Sequence, residues 1–231
     1  MRAAGYRVVE LAVTDPRPLD YDSLGALLDR YGLQLVAFTT GQAAGKEGLS
    51  LSSPDLRVRE EAVFRIQAHA RVAKKFKAIV IIGLLRGKSG NLSLFYESLQ
   101  ECVRANPDVR FALEPLNRYE TELINSVAEA LALVERVGAN NLGILFDTFH
   151  GNIEERSVPE ALRLCGERLF HVHLADSNRW IPGFGHFPFA ELWETLEHVG
   201  YKGSLILECL PRPDPMWLLS EEEVRKRVGL L

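Results

Sequence analysis

Short apolar runs of six to eight residues alternate along the chain with longer segments whose apolar positions recur every three to four residues. That alternation predicts strands separated by amphipathic helices, the pattern of parallel βαβ units. Strands are predicted at 7–13 (RVVELAV), 33–40 (LQLVAFTT), 78–83 (AIVIIG), 109–115, 142–148, 168–175 and 204–209. Helices are predicted near 20–31, 55–76, 92–105, 125–137, 157–165 and 188–199. Punctuation agrees with this reading. Ser53-Pro54-Asp55 makes a turn into a helix, Asn125-Ser126 can cap an N-terminus, and Gly138 and Gly200 can close C-termini. No linker or low-complexity tract interrupts the rhythm, so 1–231 reads as one domain.

The spacing of about 30 residues per unit is that of a (β/α)8 barrel, yet the strands number seven. The expected fold is therefore an α/β TIM barrel without its first β-strand and most of its first helix. Such a barrel would leave strand edges at 7–13 and 204–209 open, and open edges call for a cover. The expectation is a homo-oligomer, dimer or tetramer, or a longer gene product.

Four of the strands end on an acid or imidazole: Glu114 in VRFALEP, Asp147 in LGILFDT, His173 in LFHVHLAD and Glu208 in SLILEC. Side chains alternate across a strand, so each has a defined face. Glu114 shares its face with Ala112, Asp147 with Leu145 and Gly143, His173 with His171 and Ala175, and Glu208 with Ile206 and Ser204. All four take inward parity at a C-terminal strand end, where barrel active sites form. Three carboxylates and one imidazole make a hard, oxygen-rich set suited to a divalent cation, Mn²⁺ or Mg²⁺ rather than structural zinc. The loops after these strands add Glu120, His150 and Arg179 as substrate contacts. His171 lies one layer deeper and reads as a hydrogen-bonded core residue. His69 and His198 fall on helices and read as surface or packing residues.

Composition narrows the classes. A net charge of −4 offers no footprint for nucleic acid or anionic lipid, and no run approaches the ~18 apolar residues of a membrane span. Cys102, Cys165 and Cys209 are an odd number without CxxC spacing, which points to reduced thiols and a cytoplasmic setting.

The blocks LEPLNRYET (113–121), DTFHGNIEE (147–155) and HLADSNRWIPGFGH (173–186) resemble the ketose 3-epimerases, the D-tagatose/D-psicose 3-epimerase group of the xylose isomerase-like barrels. The resemblance runs from about residue 5 to residue 214. It implies a metal-dependent epimerase of a small ketose, with Glu114, Asp147, His173 and Glu208 as metal ligands and Glu114 and Glu208 also as the acid/base pair. It further implies that Glu120, His150 and Arg179 hold the O1–O3 region of the sugar. The implied metal is Mn²⁺, with Co²⁺, Mg²⁺ or Zn²⁺ as substitutes. One departure is Gly151, where the family pattern DTFHMNIEE carries methionine, which suggests a wider loop. Another is the first strand, which in relatives contributes to the substrate pocket.

The chemistry expected is proton removal and return at C3 through an enediolate. Rival readings are an aldose–ketose isomerase of the hydroxypyruvate isomerase type and a sugar-phosphate enzyme with Arg86 or Lys88 as phosphate contact. From other classes come an apurinic-site endonuclease and a non-catalytic truncated barrel. Six histidines, two of them on helices, and a negative charge weigh against the nuclease.

Overall fold

The computed structural model describes residues 1–210 and 219–230; positions 211–214, the end of the stretch that resembles the epimerases, lie outside them. Seven parallel strands run in chain order around one sheet: β1 (Val8–Ala12), β2 (Gln34–Thr39), β3 (Ile79–Ile82), β4 (Phe111–Leu113), β5 (Leu142–Asp147), β6 (Leu169–Leu174) and β7 (Leu205–Leu207). Among the described residues the helices are α1 (Tyr21–Tyr31), α2 (Gly41–Glu47), α3 (Leu56–Phe76), α4 (Leu92–Arg104), α5 (Val127–Val137), α6 (Thr148–Glu154), α7 (Val158–Cys165), α8 (Phe189–His198) and α9 (Glu221–Arg227). The seven predicted strands and six predicted helices are all present. The three unpredicted helices, α2, α6 and α9, have seven residues each, too short for periodicity to declare.

Local chemistry sets the boundaries. Asp55 caps α3 by accepting from the Arg57 N–H. Ser126 and Glu129 form a reciprocal capping box at the start of α5, and Gly138 closes its far end with φ 67°. Asn125, the other candidate cap, instead donates to the Leu116 and Thr121 carbonyls and pins the loop after β4.

Parity divides the core into two layers. Val80, Phe111, Leu113, Ile144, Phe146 and Val172 face the helices. Ala37, Ile79, Ile81, Ala112, Leu145 and Phe170 fill the barrel interior. In β6 the simple alternation fails. The register with β5 slips between Ile144 and Leu145, so Leu169 packs outward while both Phe170 and His171 turn inward. Gly143 accommodates the extra inward ring, since a Cβ there would lie 2.5 Å from Phe170 Cγ. Gly151 does not widen a loop as expected. It lies within α6, and a Cβ on it would meet Phe146 Cζ at 2.4 Å.

β1 and β7 touch, but no ladder joins them among the described residues. The C-terminal segment reaches this region: Tyr6 Oη donates to the Leu219 carbonyl at 3.4 Å, Gly5 lies against Glu221, and Trp193 Nε1 donates to the Val228 carbonyl at 2.6 Å. Among the described residues no helix is long and apolar enough to cross a membrane.

Candidate active site

The four strand-end groups meet as their parity required. One donor atom from each of Glu114, Asp147, His173 and Glu208 lies within 4.8 Å of all the others. His173 Nδ1 faces the three carboxylates, 3.2 Å from Glu208 Oε2 and 3.7 Å from both Glu114 Oε1 and Asp147 Oδ2. Glu114, Asp147 and His173 are buried, whereas the Glu208 side chain at the rim is 40% exposed. Asp147 doubles as the N-cap of α6, its Oδ1 accepting from the Phe149 and His150 N–H groups, so the strand end and the helix start fix the same carboxylate. Gly83 borders the site for a steric reason, because a Cβ there would fall 2.6 Å from Glu114 Oε2.

The three expected substrate contacts surround this cluster. Arg179 Nη1 donates to both Asp147 oxygens at 2.8 and 2.7 Å, and its Nη2 donates to Glu208 Oε2. The residue sits at φ 63°, in a loop wound around Asp176. The Asp176 carboxylate accepts the N–H groups of Ser177, Gly183, Phe184 and Phe187, which holds the loop over the mouth. His150 Nδ1 accepts from the Asn117 backbone N–H at 3.2 Å and faces the Asn117 amide nitrogen at 2.8 Å. With Nδ1 accepting, the ring hydrogen belongs on Nε2, which points toward Glu114 Oε1 3.9 Å away. Glu120 is half-buried and accepts from Asn117 Nδ2 at 3.3 Å. Glu114, Glu120, His150, Arg179 and Glu208 line one cavity of about 220 Å³, whose opposite wall includes Thr39, Thr40 and Gln42. Asp147 and His173 do not line it. The volume lies below the roughly 300–1,000 Å³ of drug-sized ligand sites and suits a small solute.

Electrostatics separates the two glutamates. Burial raises the Glu114 carboxyl above its ordinary range, and the nearby Glu208 charge adds to the rise. Burial acts on Glu208 in the same direction, but the charges of His173 and Arg179 outweigh it and hold that carboxyl well below its usual value. His173 is raised well above the ordinary imidazole value, since the Glu10 and Glu208 charges exceed the effect of its burial.

The donor set fits a divalent cation. Opposite ligands of a small hard cation at about 2.0–2.1 Å lie roughly 4.2 Å apart, within the spread seen here.

Three expectations need correction or refinement. Arg86 cannot contact a phosphate. It is fully buried and donates to the Gly83, Leu123, Ile124, Ile82 and Glu114 carbonyls, bracing the loops under the site. Lys88 is exposed and lies outside the cavity lining. Of the two roles read for His69, surface or packing, the structure shows packing: it is wholly buried, with its ring nitrogens 2.9 Å from the Arg65 and Val13 carbonyl oxygens. His171 is a hydrogen-bonded core residue as read, but its partner, Glu10, was missed. The available signal was an acid at position 10 on the face of RVVELAV shared with Ala12, which lines the cavity.

An ordered set of parallel strands with a cluster of hard donors at their C-terminal ends, able to hold a metal ion, defines a TIM barrel with a candidate metal site. The chain belongs to the xylose isomerase-like TIM barrel family, whose model matches residues 1–227. It is 33% identical over 225 residues to the D-psicose 3-epimerase of Ruminiclostridium cellulolyticum, covering 90% of this chain and 75% of that protein. It is 29% identical over 219 residues to the L-ribulose 3-epimerase of Mesorhizobium japonicum, covering 90% and 72%. The solved structure of D-psicose 3-epimerase with D-tagatose from Clostridium cellulolyticum H10 superposes with a TM-score of 0.80 at 28% identity, over 99% of this chain and 87% of that one. The expected sugar epimerase or isomerase class is met by these relatives.

Proposed function

We propose that this chain, as one domain over 1–231, is a divalent-metal-dependent ketose 3-epimerase acting on a small sugar. The observation that carries the proposal is the pair Glu114 and Glu208. They line one small cavity from β4 and β7, with the Asp147 and His173 strands between them. Inversion at carbon requires a base on one face and an acid on the other, and two carboxyls on separated strands supply both. Glu208, held as a carboxylate, removes the C3 proton. The C–H electron pair moves into the C2–C3 bond and leaves an enediolate with its charge on O2. Glu114, on the other side of the cavity, returns a proton to C3 on the opposite face. In the reverse direction the two exchange roles.

Arg179 and the Nε2–H of His150 donate to the developing oxyanion, and Glu120 accepts from a sugar hydroxyl. Glu114, Asp147, His173 and Glu208 would hold the metal, Mn²⁺ ahead of Co²⁺, Mg²⁺ or Zn²⁺. Its contribution when bound is Lewis-acid stabilisation of charge on the sugar oxygens, worth several kcal/mol. The half-buried β1 and β7, with no ladder joining them among the described residues, support a homo-oligomer, dimer or tetramer, and the three free thiols support a cytoplasmic setting.

The test is to incubate the protein and Mn²⁺ with D-fructose, D-tagatose and L-ribulose and to separate the products by chromatography. A C3 epimer should form from at least one ketose, and Glu114→Gln and Glu208→Gln should each abolish it while remaining folded. Unchanged turnover in either variant would remove the two-base assignment.

A further inference from the structure

Beneath the metal-type cluster lies a second one, Glu10, His171 and His173, which shares His173 with the first and whose other two members the epimerase mechanism does not use. Glu10 projects inward from β1, and its Oε2 lies 2.9 Å from His171 Nε2 and 3.0 Å from His173 Nε2. The two rings meet edge to face, 5.2 Å between centroids. Glu10 is 7% exposed at the side chain, and the two rings are buried. β1 is not adjacent to β6; β7 lies between them around the barrel wall, so the contact crosses the interior.

An ionised carboxylate can only accept, so a single oxygen receiving both contacts places a hydrogen on Nε2 of each ring. For His173 this leaves Nδ1 as the nitrogen presented to Glu114, Asp147 and Glu208, which is where its position puts it. A ring whose tautomer and tilt were free could turn Nδ1 away or offer a hydrogen where a lone pair is needed. Histidines that ligate a metal commonly hand their other N–H to a carboxylate, which orients the ring and raises its basicity.

We infer that Glu10 is a positioning residue for the metal site, locking His173 with Nδ1 toward the cation, and that it ties β1 to that site across the barrel. The inference rests on the metal reading above. Its test is titration calorimetry of Mn²⁺ into purified wild type, Glu10→Gln and Glu10→Ala, together with activity at saturating Mn²⁺. Glu10→Ala should weaken Mn²⁺ binding 10–100-fold. Glu10→Gln, whose amide oxygen can still accept both N–H groups, should weaken it less. Saturating Mn²⁺ should restore most of the turnover number, a recovery that a merely structural defect would not show.

If Glu10→Ala does not fold, Glu10→Gln and the side-chain ¹⁵N spectrum of His173 in the Mg²⁺-bound wild type decide. A hydrogen on Nε2 supports the inference, and a hydrogen on Nδ1 overturns it. Equal Mn²⁺ affinity in wild type and both variants overturns the role of Glu10 while leaving the epimerase reading intact. A wild type that binds no Mn²⁺ overturns both.

Discussion

Gly151→Ala offers a case in which two known effects oppose each other and the structure says which wins. Gly151 is interior to α6, where alanine is favoured over glycine by about 1 kcal/mol. The added Cβ would lie 2.4 Å from Phe146 Cζ, 2.9 Å from Cε2 and 3.3 Å from Cε1. Phe146 is 2% exposed and packed in the layer between sheet and helices, so its ring has little room to retreat. Overpacking of this kind costs about 1–3 kcal/mol, and with a 2.4 Å approach the upper part of that range applies, so after the helix gain Gly151→Ala should destabilise the protein by up to about 2 kcal/mol net. Phe146→Leu withdraws the offending ring edge. In that background the same Gly151→Ala change should become neutral or stabilising by up to about 1 kcal/mol. The resulting coupling falls within the roughly 0.5–3 kcal/mol seen between residues in contact. Urea denaturation of the four proteins closes the cycle. A Gly151→Ala variant at least as stable as wild type, or one that costs the same in both backgrounds, would refute the argument. It would also show that α6, which carries His150 and is capped by Asp147, is seated loosely enough against Phe146 to shift.

Two further outcomes follow from buried polar groups. Arg86→Met should cost more than about 2 kcal/mol by urea denaturation, because it removes a buried donor set shared by five carbonyls; those of Gly83, Ile82 and Ile124 keep a backbone N–H, while those of Leu123 and Glu114 lose their donor at about 1–3 kcal/mol each; a loss under 1 kcal/mol would contradict the bracing role. His69 is held below the ordinary imidazole value by burial, which outweighs the two carbonyls beside its ring. The unfolded chain therefore binds the proton first, so this residue's contribution is complete above about pH 6.5 and is lost as pH falls below it. Melting temperatures between pH 7.5 and 5 should drop more steeply for wild type than for His69→Gln, and parallel slopes would reject the assignment.

Much of this was legible before any coordinates. Glu114, Asp147, His173 and Glu208 could be paired because each terminates an apolar run with inward parity, and a barrel brings strand ends together by topology alone. Glu10 escaped for the opposite reason. A lone acid within a strand names no partner, and its partners lie 161 and 163 residues away across the interior. The inward turn of Phe170 depends on a bulge that alternation cannot announce. Arg86 was misread because a loop arginine near a barrel mouth looks the same in sequence whether it faces solvent or five carbonyls. α6 was missed because its start is set by the Asp147 cap, a residue already accounted for as a ligand.

The central claim is that Glu114 and Glu208 exchange a proton at C3 of a ketose. It is tested most directly by running the reaction in D₂O with Mn²⁺ and locating the label in the product by NMR. Solvent deuterium should enter at C3 and nowhere else, in the epimer and, at long times, in the recovered substrate. Label at C1 alone would replace the account with an aldose–ketose isomerase, and an epimer formed with no solvent label at C3 would contradict the two-base mechanism outright.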